Sequence, residues 1–249
     1  MPKRFPALLT LVVAGALALV VAAPAMGRSY DVTITDLTGG PSGGGQPFTP
    51  PVIATHTGKN AIFEVGQPAS VGVREIAENG NLDPLLAQLE ADPFNQISDF
   101  EHTNAPLVPA GNPGSGMFGN EVMFPIDAGN NATRLSWVSM LICTNDGLTG
   151  VNSLRLPGAV GKTTSKTTAG YDAHTELNTE DYLDIVPPCQ GLIGPPSGEM
   201  GTTVSNPNLA EGGVIAHHGG ILGVSGGDLI PSRHGWTDPV ARIEVERTG

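Results

Sequence analysis

Glycine and proline interrupt this chain so often that no long regular element fits between them: 34 glycines and 22 prolines fall among 249 residues. A glycine inside a helix costs about 1 kcal/mol relative to alanine and a proline about 3, so the chain is left with short runs of apolar and β-branched residues. The clearest regular signal has period two. Tyr30, Val32 and Ile34 alternate with Asp31, Thr33 and Thr35, and near the other end Ala241, Ile243 and Val245 alternate with Arg242, Glu244 and Glu246. Such alternation predicts a half-buried antiparallel strand near each end. Ala61–Val65, Glu121–Phe124, Leu135–Cys143 and Val151–Leu156 read as further strands between turn residues, the spacing of an all-β sandwich or barrel. One region departs from this rhythm. Val73, Ile76 and Ala77 recur at helical intervals within Ala69–Ala77, the pattern stops at Asn79-Gly80, and Asp83-Pro84 reads as an N-cap with proline opening Leu85–Ala91. Two short helices inserted after the second strand are therefore expected. Gly39–Gly45, Ala105–Gly119 and Pro187–Asn208 read as loops, and a single domain is expected over residues 28–249.

Residues 1–27 stand apart from that domain. Lys3-Arg4 gives a basic start, Leu8–Ala23 carries no charge, and Ala23-Pro24-Ala25-Met26-Gly27 supplies small residues of the kind a signal peptidase reads. The apolar run is shorter than the roughly 20 residues that a spanning helix needs. It reads as an export signal cut near Gly27, with an uncleaved anchor as the rival. The expected location is secreted, periplasmic or cell-envelope, without stable membrane insertion after cleavage. The whole chain has 12 basic and 24 acidic residues, a net charge of −12. Cutting near Gly27 removes two bases and no acid, leaving −14. That balance argues against nucleic-acid binding, since phosphate contacts need lysine and arginine, and it disfavours anionic membrane surfaces for the same reason. Divalent cations and cationic partners are favoured, alongside the plainer reading of a solvated acidic surface.

Two cysteines remain, Cys143 and Cys189. For an exported chain a single disulfide is the simplest reading, with two buried thiols as the alternative. Gly223-Val224-Ser225-Gly226-Gly227 matches a nucleophile elbow, with His218-Gly219-Gly220 resembling an oxyanion loop and Asp228 and His234 in the right chain order for a triad. The surroundings argue against it. That motif belongs between a buried parallel strand and a helix, with its oxyanion loop far upstream, so a glycine-rich loop is expected here. His56, His102, His174, His217, His218 and His234 lack the spacing of a strong metal motif and read as solvent-facing or loop-packing residues. Asn131-Ala132-Thr133 is a glycosylation acceptor only in a eukaryotic host.

The carboxylates carry more. Thr144-Asn145-Asp146-Gly147 follows an apolar run, and Tyr171-Asp172-Ala173-His174-Thr175-Glu176 sets two acids four residues apart. Acids at loop tips of a sandwich can converge on a hard cation, which takes six to eight oxygens. Asn-Asp-Gly is equally a good tight turn.

Beyond single motifs, the chain resembles the spondin N-terminal domain, the module of F-spondin and mindin in animal matrix and of many exported bacterial proteins. The matching blocks are Tyr30–Leu37, GQPFTPPVIATH at Gly45–His56, FEVGQPAS at Phe63–Ser70, IAENGN at Ile76–Asn81, SMLICTNDGLTGVNSLRLP at Ser139–Pro157, YDAHTELNTE at Tyr171–Glu180 and WTDPVARIEV at Trp236–Val245. The resemblance implies an antiparallel β-sandwich similar to calcium-dependent membrane-targeting modules, with a cation held by loops at one end. Carried over motif by motif, its acidic ligands fall on Asp146, Asp172 and Glu176, with Ca2+ as the implied ion. The animal domains tend to have Asp where Glu176 stands and Gly where His174 stands. The function implied is a non-catalytic recognition or adhesion module for an extracellular or envelope protein or glycan. A metal-dependent hydrolase with His174 as general base, and a purely structural envelope domain, are the alternative readings.

Overall fold

The structure is a computed structural model that describes residues 27–40, 43–58 and 62–249. The segment read as an export signal thus lies outside the described residues, apart from Gly27. Among the described residues no helix is long and apolar enough to cross a membrane. The strands are β1 (Arg28–Asp36), β2 (Val52–His56), β3 (Ile97–His102), β4 (Glu121–Ala128), β5 (Arg134–Met140), β6 (Gly147–Arg155), β7 (Thr163–Thr168), β8 (Gly170–Asp172), β9 (Ala216–His217) and β10 (Ala241–Arg247). They form two antiparallel sheets, ordered β4-β1-β10-β7 and β3-β2-β5-β6-β8-β9, and the fold is the expected all-β sandwich.

The two strands read from alternation, β1 and β10, pair at the centre of the four-stranded sheet, with Val32 opposite Val245 and Ile34 opposite Ile243. Their inward residues are fully buried and meet Ile53, Leu135, Trp137 and Val151 of the other sheet. Each such Val or Ile contributes about 1.5–3 kcal/mol by leaving water, while the intervening charges of β10 stay outside. The six-stranded sheet is different because both of its faces are covered. In β2 and β5 the odd positions 53, 135 and 137 join the inter-sheet core, whereas Val52, Ala54, Val138 and Met140 face a second core. That second core is closed by α1 (Val71–Asn79), α2 (Asp83–Ala91) and the long loops around Tyr182, Ile185 and Cys189.

The inserted helices follow β2, close to the expected places. In α1 the Ser70 hydroxyl accepts the Val73 N–H. The far end stops at Gly80 (φ 64°), whose N–H returns to Ile76 while that of Asn81 returns to Glu75, a left-handed cap that favours glycine. Asp83 lies inside α2 rather than capping it; the Asn81 carboxamide oxygen accepts the Asp83 N–H instead. Ile62–Val65 is not a strand: Ile62 and Phe63 are buried in the helix-side core as irregular chain, and the second strand is Val52–His56. Two later segments, α3 (Pro188–Leu192) and α4 (Pro231–His234), are short turns of helix within expected loops. Cys143 and Cys189 form a disulfide that joins the chain after β5 to α3.

Candidate functional site

The β5–β6 turn places Asp146 completely out of solvent. Thr144 shapes the turn, donating through its hydroxyl to the Leu141 carbonyl and accepting the Gly147 N–H. Asp146 Oδ2 accepts three hydrogen bonds from the next acidic loop: the N–H groups of Thr175 (2.7 Å) and Glu176 (3.0 Å) and the Thr175 hydroxyl (3.2 Å). Its other oxygen, Oδ1, is buried and has no partner. Burial first, and then the nearby Asp172 charge, push the Asp146 carboxyl up to about 7, against the lowering effect of those donors.

Asp172 ends β8, and its two oxygens accept the His174 N–H and the Asn178 carboxamide, each at 2.7 Å. Glu176 is buried as well, and its carboxylate accepts the Asn206 N–H at 3.1 Å. Burial, followed by the charges of Glu78, Asp146 and Asp184, pushes it up to about 7, with the Asn206 N–H opposing. The three expected acids therefore share one electrostatic neighbourhood, in which Asp146 feels Asp172 and Glu176 feels Asp146. Among the described residues their ligand atoms do not all lie within 4.8 Å of one another, whereas those of Asp172, His174 and Glu211 do.

Behind this neighbourhood lies a residue that the sequence reading passed over. Asn145 donates to the Thr179 hydroxyl and accepts the Glu180 N–H, tying the turn to residue 180. The buried Glu180 carboxylate then accepts three successive backbone N–H groups, those of Leu222 (2.6 Å), Gly223 (2.7 Å) and Val224 (3.0 Å). No side-chain pattern marks such a nest, because its donors are backbone. The three amides preceding Ser225 are thus committed to Glu180. His234 is fully buried, its Nδ1 accepting the Ile230 N–H and its Nε2 facing the Tyr182 hydroxyl at 3.1 Å, so neither ring nitrogen serves Ser225. In the chelated protein, Glu180→Gln is expected to cost about 1–2 kcal/mol, since hydrogen bonds to a charged group are the stronger class. Ser225→Ala should leave the melting midpoint where it was. Thermal melts of both variants check the contrast, and equal midpoints would contradict it.

The histidines divide more sharply than expected. His56, His218 and His234 are buried, His218 and His234 among the loops as the loop-packing alternative has it and His56 on β2, and burial lowers the pKa of each. His218 packs edge-on against Trp236; its Nδ1 accepts the Gly220 N–H, while its Nε2 is buried without a partner.

A further buried acid lies at the end of β1. Asp36 Oδ1 accepts the N–H and hydroxyl of Thr38, Oδ2 is buried and unpartnered, and burial pushes the group up to about 8. Asp36, Asp146 and Glu176 are all raised, which fixes the sign of a pH effect. Their contribution to stability is complete below about pH 4, where even the unfolded chain is protonated, and is lost as pH rises through 7–8. In chelator, Asp36→Asn should gain stability relative to wild type as pH goes from acidic to alkaline. Denaturant melts across that range test this, and a constant difference would refute it.

Among known proteins the chain matches no family model and no curated sequence.

Proposed function

We propose that this chain is an exported, non-catalytic recognition module of the spondin domain family whose end loops bind calcium and present a surface to an extracellular or envelope protein or glycan. The observation that carries the reading is Asp146, a fully buried carboxylate with three donors on one oxygen and none on the other. Burying a carboxylate with an unmet lone pair is costly unless a partner arrives. The donor chemistry suits a hard cation, since Asp146, Asp172 and Glu176 offer carboxylate oxygens that calcium takes together with carbonyls and water, and the loops would have to draw the three closer than they stand here. A bound calcium would neutralise mutually repelling acids. The chain supplies the positioning, with Thr144 shaping the Asp146 turn, Asn178 holding Asp172 and Asn206 holding Glu176. The disulfide and the sandwich are compatible with export. Calcium titration of the chelator-stripped mature domain, read by calorimetry and melting, tests the reading. One calcium per domain with a raised midpoint supports it, and a midpoint unmoved at millimolar calcium overturns it.

A further inference from the structure

We propose that the loop pair 172–174 and 211–213 forms a site for a borderline transition metal of the Zn2+ class, built from Asp172, His174 and Glu211 and overlapping the calcium reading only at Asp172. One ligand atom from each of these three side chains lies within 4.8 Å of the other two. His174 Nδ1 stands 3.5 Å from Asp172 Oδ1. That is long for a charge-assisted hydrogen bond, yet two ligands bound tetrahedrally at about 2.0–2.1 Å are about 3.4 Å apart. The same Nδ1 atom is buried and has no hydrogen-bond partner, although the ring is about a third exposed at 37 %. A neutral imidazole with its proton on Nε2 directs its lone pair from Nδ1, the form in which histidine ligates metals.

The backbone holds the three together. Glu211 N–H donates to the Thr175 carbonyl and Gly213 N–H to the His174 carbonyl. At Gly213 a Cβ would stand 2.5 Å from His174 Cβ, so only glycine allows this close approach. His174 itself has φ 51°, a left-handed conformation uncommon for a residue with a side chain. Asp172 receives the outer support that metal-bound carboxylates use, from Asn178. His174 and Glu211 also line a cleft of about 490 Å³ bounded by Arg74 and Asn206, which provides an entry path and room for a fourth ligand. Mixed imidazole and carboxylate donors suit zinc, cobalt or nickel, whereas calcium seeks oxygens alone.

The proposal shares Asp172 with the calcium reading but does not rest on it, and the test separates the two. Zn2+ is titrated calorimetrically into the stripped mature domain near neutral pH, and Co2+ is added in parallel to read its visible absorption. Wild type should take up one Zn2+ and give a cobalt spectrum. His174→Gly, which fits the left-handed backbone without strain, should keep the fold. It should also abolish the spectrum and weaken Zn2+ by more than about 100-fold, since even outer partners of metal ligands are worth 10–100-fold. Glu211→Gln should weaken Zn2+ while leaving the calcium response intact. Asp146→Asn should retain Zn2+ and the cobalt spectrum whether or not calcium binds at all. The proposal is overturned if wild type takes up no Zn2+, if His174→Gly binds it as tightly, or if Asp146→Asn abolishes it.

Discussion

Replacing both Cys143 and Cys189 with serine lowers the thermal midpoint by about 8–16 °C. The disulfide closes a separation of 46 residues. In the chain-entropy account, a loop of that size restricts the unfolded chain by roughly 4 kcal/mol, and each kcal/mol moves the midpoint of a domain this large by about 2–4 °C. Local packing works in the same direction. Both sulfurs belong to fully buried residues, and the main chain of Cys143 is bracketed by the Gln46 carboxamide, which accepts its N–H and donates to its carbonyl. Serine puts two hydroxyls into that apolar setting. Reduction and alkylation of the wild-type protein, with mass spectrometry to confirm the change, should give a drop of the same order. A loss of only a degree or two would mean that packing around α3 closes this loop without the covalent link.

Calcium at one hundred times its dissociation constant should stabilise the domain by about 2.7 kcal/mol if it binds only the folded state, raising the midpoint by about 5–11 °C. Asp146→Asn preserves the shape of the turn and an acceptor for the Thr175 and Glu176 N–H groups, but removes the charge. It should erase most of the calcium shift. In chelator at pH 8 the same variant should be no less stable than wild type, because it relieves a carboxyl that burial first, and then the Asp172 charge, push up to about 7. Asp172→Asn should act likewise, and Glu176→Gln in the same direction with a smaller effect. Differential scanning calorimetry of the three variants with and without calcium measures this. Retention of the full shift by all of them would assign the Asn145-Asp146-Gly147 segment to a tight turn alone.

What could be read from the residues follows how each strand is covered. β1 and β10 announced themselves because one face is buried and the other carries threonines and charges. β2 did not. All five of its residues are buried, and a strand covered on both faces loses the alternation that marks a half-exposed one. The same double burial made β5 legible only as a mostly apolar run interrupted by Ser136 and Ser139, while Ile62-Phe63 look like a strand because they are apolar and buried, yet they are irregular chain in the helix-side core. β7, Thr-Thr-Ser-Lys-Thr-Thr, is an edge strand with no apolar residue to read, and β8 and β9 are too short to carry a pattern. At the site, Asp146 and Asp172 were visible because acids at turn positions stand out from their surroundings. Glu180 and Glu211 were not, because the groups they meet are backbone amides in one case and a histidine 37 residues away in the other.

The Glu180 nest also bears on where a protease would cut. A stretch such as Gly219-Gly220-Ile221-Leu222-Gly223-Val224-Ser225-Gly226-Gly227 has the composition of a loop that opens first and is nicked first. Cleavage, however, needs several consecutive residues to leave the surface in extended form, and here three adjacent amides would have to abandon one buried carboxylate together. Asn145 pins that carboxylate's own backbone to the turn bearing Asp146. The glycine-rich segment is therefore as durable as the acidic end of the sandwich to which it is fastened, and limited digestion would enter at other exposed loops before it.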